Sequence, residues 1–435
     1  MKRIYKGIGK SPFVRNIVII ATGTAAAQAI TMAVSPIITR IYGPDAYGLL
    51  GVFTALVGIL SPVAALTYPT AIVLPAKNNE AFGVIRLSLI ITFIMSMFVT
   101  LILFFFKDII INSFQLEAIA PFLYLVPLFI LFSGLLQIME QWLIRIKAFK
   151  ITAKVTFFQA IIIQGSKIGI GTINPTAAIL IFITVLGQAL KALMLLLGGK
   201  NLVAKEKIQS NNEKTSIIEL AKKYKDFPIF KAPEVSINAL SQSLPILLLT
   251  SFFGPASAGF YSIGKTVLNM PSQLIGKSVG DVFYPRISEA ANNRETLTGL
   301  IKKATYLLGA VGIIPFGIVI IFGPTLFSLV FGAEWGTAGE YARWIALWSF
   351  FGFVNRPCVS AIPVLSAQAF HLKFSIFMLI TRIAALAVGY YWFSSDLMAI
   401  AFFGVSGALL HFCFILITLQ ISKKFDDRNN ERVTM

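Results

Sequence analysis

A chain of 435 residues that is 57% hydrophobic, only 13% charged and carries 38 Phe is neither a soluble globular domain nor a disordered segment, and reads as an integral membrane protein. A net charge of +18 would suit nucleic acid in a soluble chain, but here Lys and Arg alternate with long apolar runs and act as topology signals, so no nucleic-acid partner is expected. Cys358 and Cys413 both fall in apolar stretches and provide neither a disulfide framework nor a metal site.

The N-terminal stretch MKRIYKGIGKSPFVRN leads into an apolar run, residues 13–38, too long for a signal-peptide core and without a convincing small-residue cleavage site. It is expected to be the first spanning helix. A helix needs about 20 mostly apolar residues to cross a bilayer. On that measure further spans are expected near 46–72, 83–106, 118–140, 155–173, 177–198, 227–252, 257–284, 304–331, 341–362, 374–393 and 397–421, about twelve in all. The fifth contains Gln159, Gln164 and Lys167, and the tenth is interrupted by Asn355, Arg356 and Pro357.

Residues 1–198 thus form a six-helix N-terminal half and 227–421 a six-helix C-terminal half. Between them, 199–226 is a basic cytoplasmic linker with seven Lys and four acids, in which an amphipathic helix could start at Ser216; 422–435 is a tail. With the N-terminus inside, the loops and ends on the cytoplasmic side hold 28 Lys and Arg and those outside hold three, Arg40, Lys107 and Arg343. That bias sets both termini in the cytoplasm.

The two halves read alike. The outer turn Gly43-Pro44-Asp45-Ala46-Tyr47-Gly48 and the outer turn Gly254-Pro255-Ala256-Ser257-Ala258-Gly259 share the pattern G-P-x-x-x-G at an offset of 211 residues. Pro36 and Pro245 precede them, Pro62 and Pro271 follow, and Tyr-Pro pairs come next at Tyr68-Pro69 and Tyr284-Pro285. Even helix counts make both halves enter from one side, so the pseudo-two-fold axis runs along the membrane normal and the space between halves is the expected substrate site. The prolines in spans two and eight are expected to kink them.

Six cations fall inside apolar spans, namely Lys167, Lys191, Lys231, Lys265, Lys277 and Arg382, against two acids, Glu234 and Asp281. An ionised group in hydrocarbon costs roughly 3 kcal/mol on insertion scales, so such groups face water or a partner. Lys231 sits near the inner start of span seven, where it can snorkel or pair with Glu234, and Lys191 can snorkel in span six. Lys277 and Asp281, four apart on one face, suit a local ion pair. Lys167, Lys265 and Arg382 are deep with no acid nearby in sequence, and suggest that something anionic passes through.

The strings T-R-I-Y-G-P-D-A-Y-G-L from Thr39 to Leu49, A-G-F-Y-S-I-G-K-T-V-L-N-M-P-S-Q-L-I-G from Ala258 to Gly276 and V-F-Y-P-R-I-S-E from Val282 to Glu289 resemble the polysaccharide-transporter branch of the multidrug, oligosaccharidyl-lipid and polysaccharide exporter superfamily. The resemblance runs over essentially the whole chain and implies an all-α fold with two six-helix halves. It further implies a multi-pass flippase of the bacterial inner membrane, not an enzyme. Its substrate would be an undecaprenyl-diphosphate-linked oligosaccharide, an O-antigen repeat unit or a unit of a related surface polysaccharide, moved by alternating access, with ion coupling expected.

Under that reading Lys167, Lys265, Arg382 and Lys277 are the expected diphosphate contacts. Gln28, Asn238, Gln242, Asn269 and Gln273 are the expected sugar contacts, although polar side chains in spans also glue helices together. Glu234 and Asp281, with Glu140 a weaker choice, are the acids placed to couple an ion. Membrane lipids and other polysaccharide assembly proteins are expected partners; no cofactor or metal is expected. Gly259 to Thr266 fits the nucleotide-binding pattern G-x-x-x-x-G-K-[ST], but it starts inside an apolar span with no strand before it, so no nucleotide is expected. His371 and His411 are isolated in sequence. The alternatives are a drug or cation antiporter of the same superfamily, which would need an acidic cavity, and a membrane polysaccharide polymerase or lipid-linked glycosyltransferase, for which the outer loops are short and no acid-base constellation stands ready.

Overall fold

The protein is described by a computed structural model over residues 12–114, 117–208, 216–271, 277–293 and 295–434. Apolar sequence in lipid must satisfy its own backbone, and the helix is the local solution. The described residues form α1 (Pro12–Leu60), α2 (Asn78–Phe114), α3 (Leu125–Arg145), α4 (Phe149–Gly171), α5 (Ala177–Ile208), α6 (Ile217–Lys223), α7 (Ala232–Phe253) and α8 (Pro255–Pro271), then α9 (Lys277–Asn292), α10 (Leu297–Phe331), α11 (Gly336–Val354), α12 (Arg356–Ala361), α13 (Gln368–Tyr391) and α14 (Asp396–Thr434). No strand occurs among them.

Eight of the described helices are long and apolar enough to cross a membrane. One of them, α1, holds the first two expected spans, two helical arms joined at Gly43, whose φ of 70° breaks the helix. The 17-residue α8, the 19-residue α11 and the polar α4 fall outside the eight, although each stands where a span was expected. The lipid-facing character of the rest is plain on α2, where Phe93, Phe104 and Phe105 are 64%, 74% and 69% exposed. Its counterpart in the second half, α10, likewise presents Leu307, Ile313, Ile314 and Phe322.

The repeated G-P turns are built the same way. Gly43 and Gly254 both adopt positive φ, 70° and 89°, a region that costs other L-residues energy, and Pro44 and Pro255 each open the helix that follows.

The chain divides into two compact units, Met1–Leu247 and Leu248–Met435, with the division inside α7. In the first unit the expected span 46–72 is helical only to Leu60. Pro62 and Pro69 cannot donate, and the chain continues as 3-10 turns at Ser61–Val63 and Tyr68–Val73. Between the turns Leu66 and Thr67 take left-handed φ of 47° and 59°. This broken segment is nonetheless interior, with Ala64, Ala65, Ala71 and Ile72 fully buried.

At the basic end of the same unit Arg145 closes α3. Its guanidinium donates to the carbonyls of Ile72 (3.1 Å) and Pro75 (2.7 Å) and to Asn78 Oδ1 (3.0 Å), satisfying backbone that the break leaves open. The short α6, in the expected linker, packs Leu220 and the following Tyr224 against Tyr68, Ala71, Ala81 and Val84.

In the second unit the expected span 341–362 is interrupted after Val354, and α12 restarts it at Arg356-Pro357. The expected span 257–284 runs as α8 to Pro271 and as α9 from Lys277, with residues 272–276 outside the description. The C-terminal helix does not stop at the membrane edge: α14 continues to Thr434. Its Asp426 accepts from the Leu297 and Thr298 amides at 2.9 Å each, capping the N-terminus of α10, and Thr298 Oγ1 donates to Ser422 Oγ at 3.0 Å.

Candidate functional site

Two of the deep cations stand together in the second unit. Lys265 projects from α8 and Arg382 from α13, and the adjoining rings of Tyr261 and Phe403 connect them. Aromatic rings face both, from neighbouring helices for Arg382 and from α8 itself for Lys265. The Arg382 guanidinium carbon lies 4.8 Å from the centre of the Trp348 ring on α11 and 5.8 Å from that of Phe403 on α14, and the Lys265 ammonium lies 5.8 Å from the centre of Tyr261 one turn earlier on α8.

The rings brace one another edge to face, Trp348 on Phe403 at 5.3 Å and Tyr261 on Phe403 at 6.1 Å. Gly407 lets α14 approach the indole, since a Cβ there would come within 2.7 Å of Trp348 Cδ1. An aromatic face is worth roughly 0.5–2 kcal/mol to a cation, yet it carries no net charge. The rings of the pocket hold its cations in place.

The polar groups around them are unspent. Tyr261 Oη, Trp348 Nε1 and Asn355 Oδ1 are buried and have no hydrogen-bond partner among the described residues. Asn355, which follows α11, does meet His411 of α14, Nδ2 to Nδ1 at 3.1 Å, and the His411 ring lies nearly parallel to Trp348 at 6.5 Å. The histidine that is isolated in sequence therefore lies beside the Trp348 ring of this site. Two cations plus two buried donors, the phenol and the indole N–H, suit an anionic oxygen-rich group.

Lys167 belongs to the first unit. It is half-buried on α4, and its carbonyl accepts from Tyr42 Oη of α1 at 2.8 Å. Gly171 allows that approach, because a Cβ would stand 2.5 Å from the Tyr42 oxygen. One turn before Lys167, Gln164 Nε2 donates to Thr31 Oγ1 at 3.2 Å, and Gln28 is half-buried on the same stretch of α1.

The other expected residues are dispersed. Asn269 is half-buried near the end of α8; Asn238 and Gln242 are exposed on α7. Lys231 and Glu234 form the expected local pair, at 3.0 Å, on the exposed start of that helix. Lys277 and Asp281 lie on α9, but their side chains, and Gln273 altogether, are outside the described residues. Lys191 does not simply snorkel: its ammonium meets Glu140 of α3 at 2.9 Å. Fifty-one positions separate those two residues, so only the packing of α3 on α5 joins them.

Comparison with known proteins places this geometry in context. The family described as polysaccharide biosynthesis protein matches residues 37–340. The inner membrane protein YghQ of Escherichia coli (strain K12) is 34% identical over 105 residues, 23% of this chain and 28% of that protein, so the alignment spans under a third of the relative's length. An inward-facing multidrug resistance MATE family transporter of the MOP superfamily superposes with a TM-score of 0.69 at 13% identity, over 92% of this chain and 96% of that one. The lipid II flippase MurJ, in an inward closed conformation, gives 0.68 at 13% identity over 95% and 90%. At such identities the likeness is one of fold, and that fold is all-helical among the described residues.

Proposed function

Since the chain belongs to the polysaccharide biosynthesis protein family, we propose that it is a flippase of the bacterial inner membrane that carries an undecaprenyl-diphosphate-linked oligosaccharide from the cytoplasmic to the outer leaflet. The sugar unit would be an O-antigen repeat or a unit of a related surface polysaccharide, which makes lipopolysaccharide biosynthesis the process served. The observation that carries the reading is the pair Lys265 and Arg382, held against aromatic rings beside unspent donors. A sugar diphosphate brings two or more negative charges that hydrocarbon excludes, and fixed cations offset that cost. The MurJ neighbour, whose name gives lipid II as its substrate, supports a lipid-linked cargo.

Within this reading Lys265 and Arg382 hold the diphosphate. Lys167, on the fifth helix of the first half as Arg382 is on the fifth of the second, serves it at another stage of the passage. Lys277 adds a further contact; Gln28, Asn238, Gln242, Asn269 and Gln273 face the sugars. Both termini lie in the cytoplasm, and polysaccharide assembly proteins take up the product outside.

A second reading, a multidrug or cation antiporter, is favoured by the MATE neighbours. The paired cations of the second unit oppose it, because they would repel a cationic drug. The test is a proteoliposome assay with a fluorescent undecaprenyl-diphosphate oligosaccharide, scored by the fraction that an externally added glycosidase can cut. Protein-dependent exposure that Arg382→Met abolishes supports the flippase; ethidium transport with no lipid exposure replaces it with the antiporter.

A further inference from the structure

The lipid-facing side of the first unit carries a groove. Ser96, Thr100 and Phe104 recur at helical spacing on one face of α2, and Lys107 continues that face toward the end of the helix. Across from them stand Tyr124, just before α3, and Leu128 on it. The cavity between the two helices has a volume of about 300 Å³.

Its lower end is set by small residues. A Cβ on Gly134 of α3 would stand 2.3 Å from Thr92 Cγ2 of α2, so the helices touch there, and one turn on Ser96 Oγ donates to the Pro127 carbonyl at 2.9 Å. Beyond that tie the groove opens, and Thr100, Phe104 and Leu128 are exposed along it. Thr100 Oγ1 donates to the Ser96 carbonyl at 2.9 Å. Both hydroxyls are thus spent on backbone, and the walls offer carbon.

The upper end is cationic. Lys107 Nζ donates to Tyr124 Oη at 3.3 Å and lies 4.6 Å from the centre of its ring. An ammonium has further N–H donors, and the phenol keeps its own proton to give. Asp108 and Glu117, the nearest acids in the chain, are exposed and form no ion pair with Lys107 among the described residues. From Ser96 to Lys107 the helix rises about 16 Å, close to half of a roughly 30 Å hydrocarbon core. The groove therefore has the depth of one leaflet, with its cation at the headgroup level.

We propose that this groove is a binding site for a glycerophospholipid of the leaflet at the Lys107 end, with one acyl chain between α2 and α3 and the phosphate diester on Lys107 Nζ and Tyr124 Oη. In the orientation expected from the loop charges that leaflet is the outer one. A volume of about 300 Å³ is at the small end for ligand pockets, and suits one chain while the second stays in bulk lipid. Free phosphate would use the mouth and leave the apolar walls unfilled. An apolar helix of a partner would cover the ammonium with nothing to balance its charge. A phospholipid satisfies both ends at once.

The site requires only that α2 spans a membrane and does not rest on the flippase reading. The test uses the purified full chain in detergent micelles with a phosphatidylglycerol that carries a photoreactive diazirine in the middle of one acyl chain, and peptide mass spectrometry maps the labelled residues. Label should concentrate on 96–104 and 127–131 and be displaced by unlabelled phosphatidylglycerol, but not by diacylglycerol, which has the chains without the phosphate. Lys107→Met should lower the labelling at limiting lipid by about fivefold, and Lys107→Arg should keep it. Thr100→Trp, at an exposed wall, should fill the groove and abolish the label there. The wild-type map decides even if a variant fails to fold. Label spread evenly over these segments and the apolar face of α10 would mean bulk lipid only and overturn the proposal. Stronger displacement by undecaprenyl phosphate than by phosphatidylglycerol would overturn it in favour of a carrier lipid, and equal displacement by diacylglycerol would remove the phosphate contact.

Discussion

The guanidinium carbon of Arg382 lies over the indole of Trp348, 4.8 Å from its centre, and 5.8 Å from the centre of the Phe403 ring. This contact orients a cation without neutralising it, so Trp348 acts on any anionic cargo through Arg382. Trp348→Ala should weaken cargo binding by about 2- to 30-fold, the equivalent of roughly 0.5–2 kcal/mol, with the protein still inserted and folded. Arg382→Lys should not rescue function, because an ammonium lacks the flat face and fork of donors. Binding of a fluorescent lipid diphosphate in nanodiscs measures both.

Gly407 is the reason the indole can sit there, since a Cβ at that position would reach within 2.7 Å of the ring. Gly407→Val should displace Trp348 and lower binding as far as Trp348→Ala does, and the double variant should be no worse than either single one. A clearly additive loss would show that the glycine serves something else.

The positive φ of Gly254 sets it apart from a glycine inside a helix. A Cβ at Gly254 would have nothing within 4 Å, so the cost of Gly254→Ala comes from its φ of 89° alone. It should destabilise by about 1–2 kcal/mol. Gly165→Ala, in the body of α4 with equally open space, should stabilise by roughly 0.5–1 kcal/mol. Thermal unfolding of the detergent-solubilised chain checks the opposite signs.

Lys223 of α6 is raised above its ordinary value by its hydrogen bond to Glu80, and Tyr224 Oη donates to the same carboxylate at 2.8 Å. A raised cation contributes fully below its unfolded value, near about 10.4, and the contribution is lost as pH climbs through the folded value. Hydrogen exchange at Ile217–Lys223 should therefore quicken above about pH 10.5, and Lys223→Gln should show the quicker rate already at neutral pH.

Much of this was legible in the chain. Apolar run length marks the long membrane-crossing helices, and the G-P turns of the repeat correspond to two glycines at positive φ. Deep cations with no acid nearby in sequence pointed to Lys265 and Arg382, which the fold sets against adjoining rings. The aromatic walls were not legible, because Trp348, Phe403 and Tyr261 come from three helices and look like any ring among 38 Phe and 12 Tyr. Nor was the Glu140–Lys191 pair, since helix spacing finds partners three or four residues apart and this one depends on tertiary packing. The broken second span was half visible: Pro62 and Pro69 signalled a bend, but only the fold shows the helix ending at Leu60 and the turn held by Gln137 and Arg145.

The most direct measurement of the central claim is outer-leaflet exposure of a fluorescent undecaprenyl-diphosphate oligosaccharide in proteoliposomes, compared between wild type, Lys265→Met, Arg382→Met and a surface control, Lys373→Met. Wild type and the control should expose the lipid at equal rates, and each pocket variant should lose most of that rate while reconstituting normally. Equal rates in all four would contradict the assignment of Lys265 and Arg382 to the cargo.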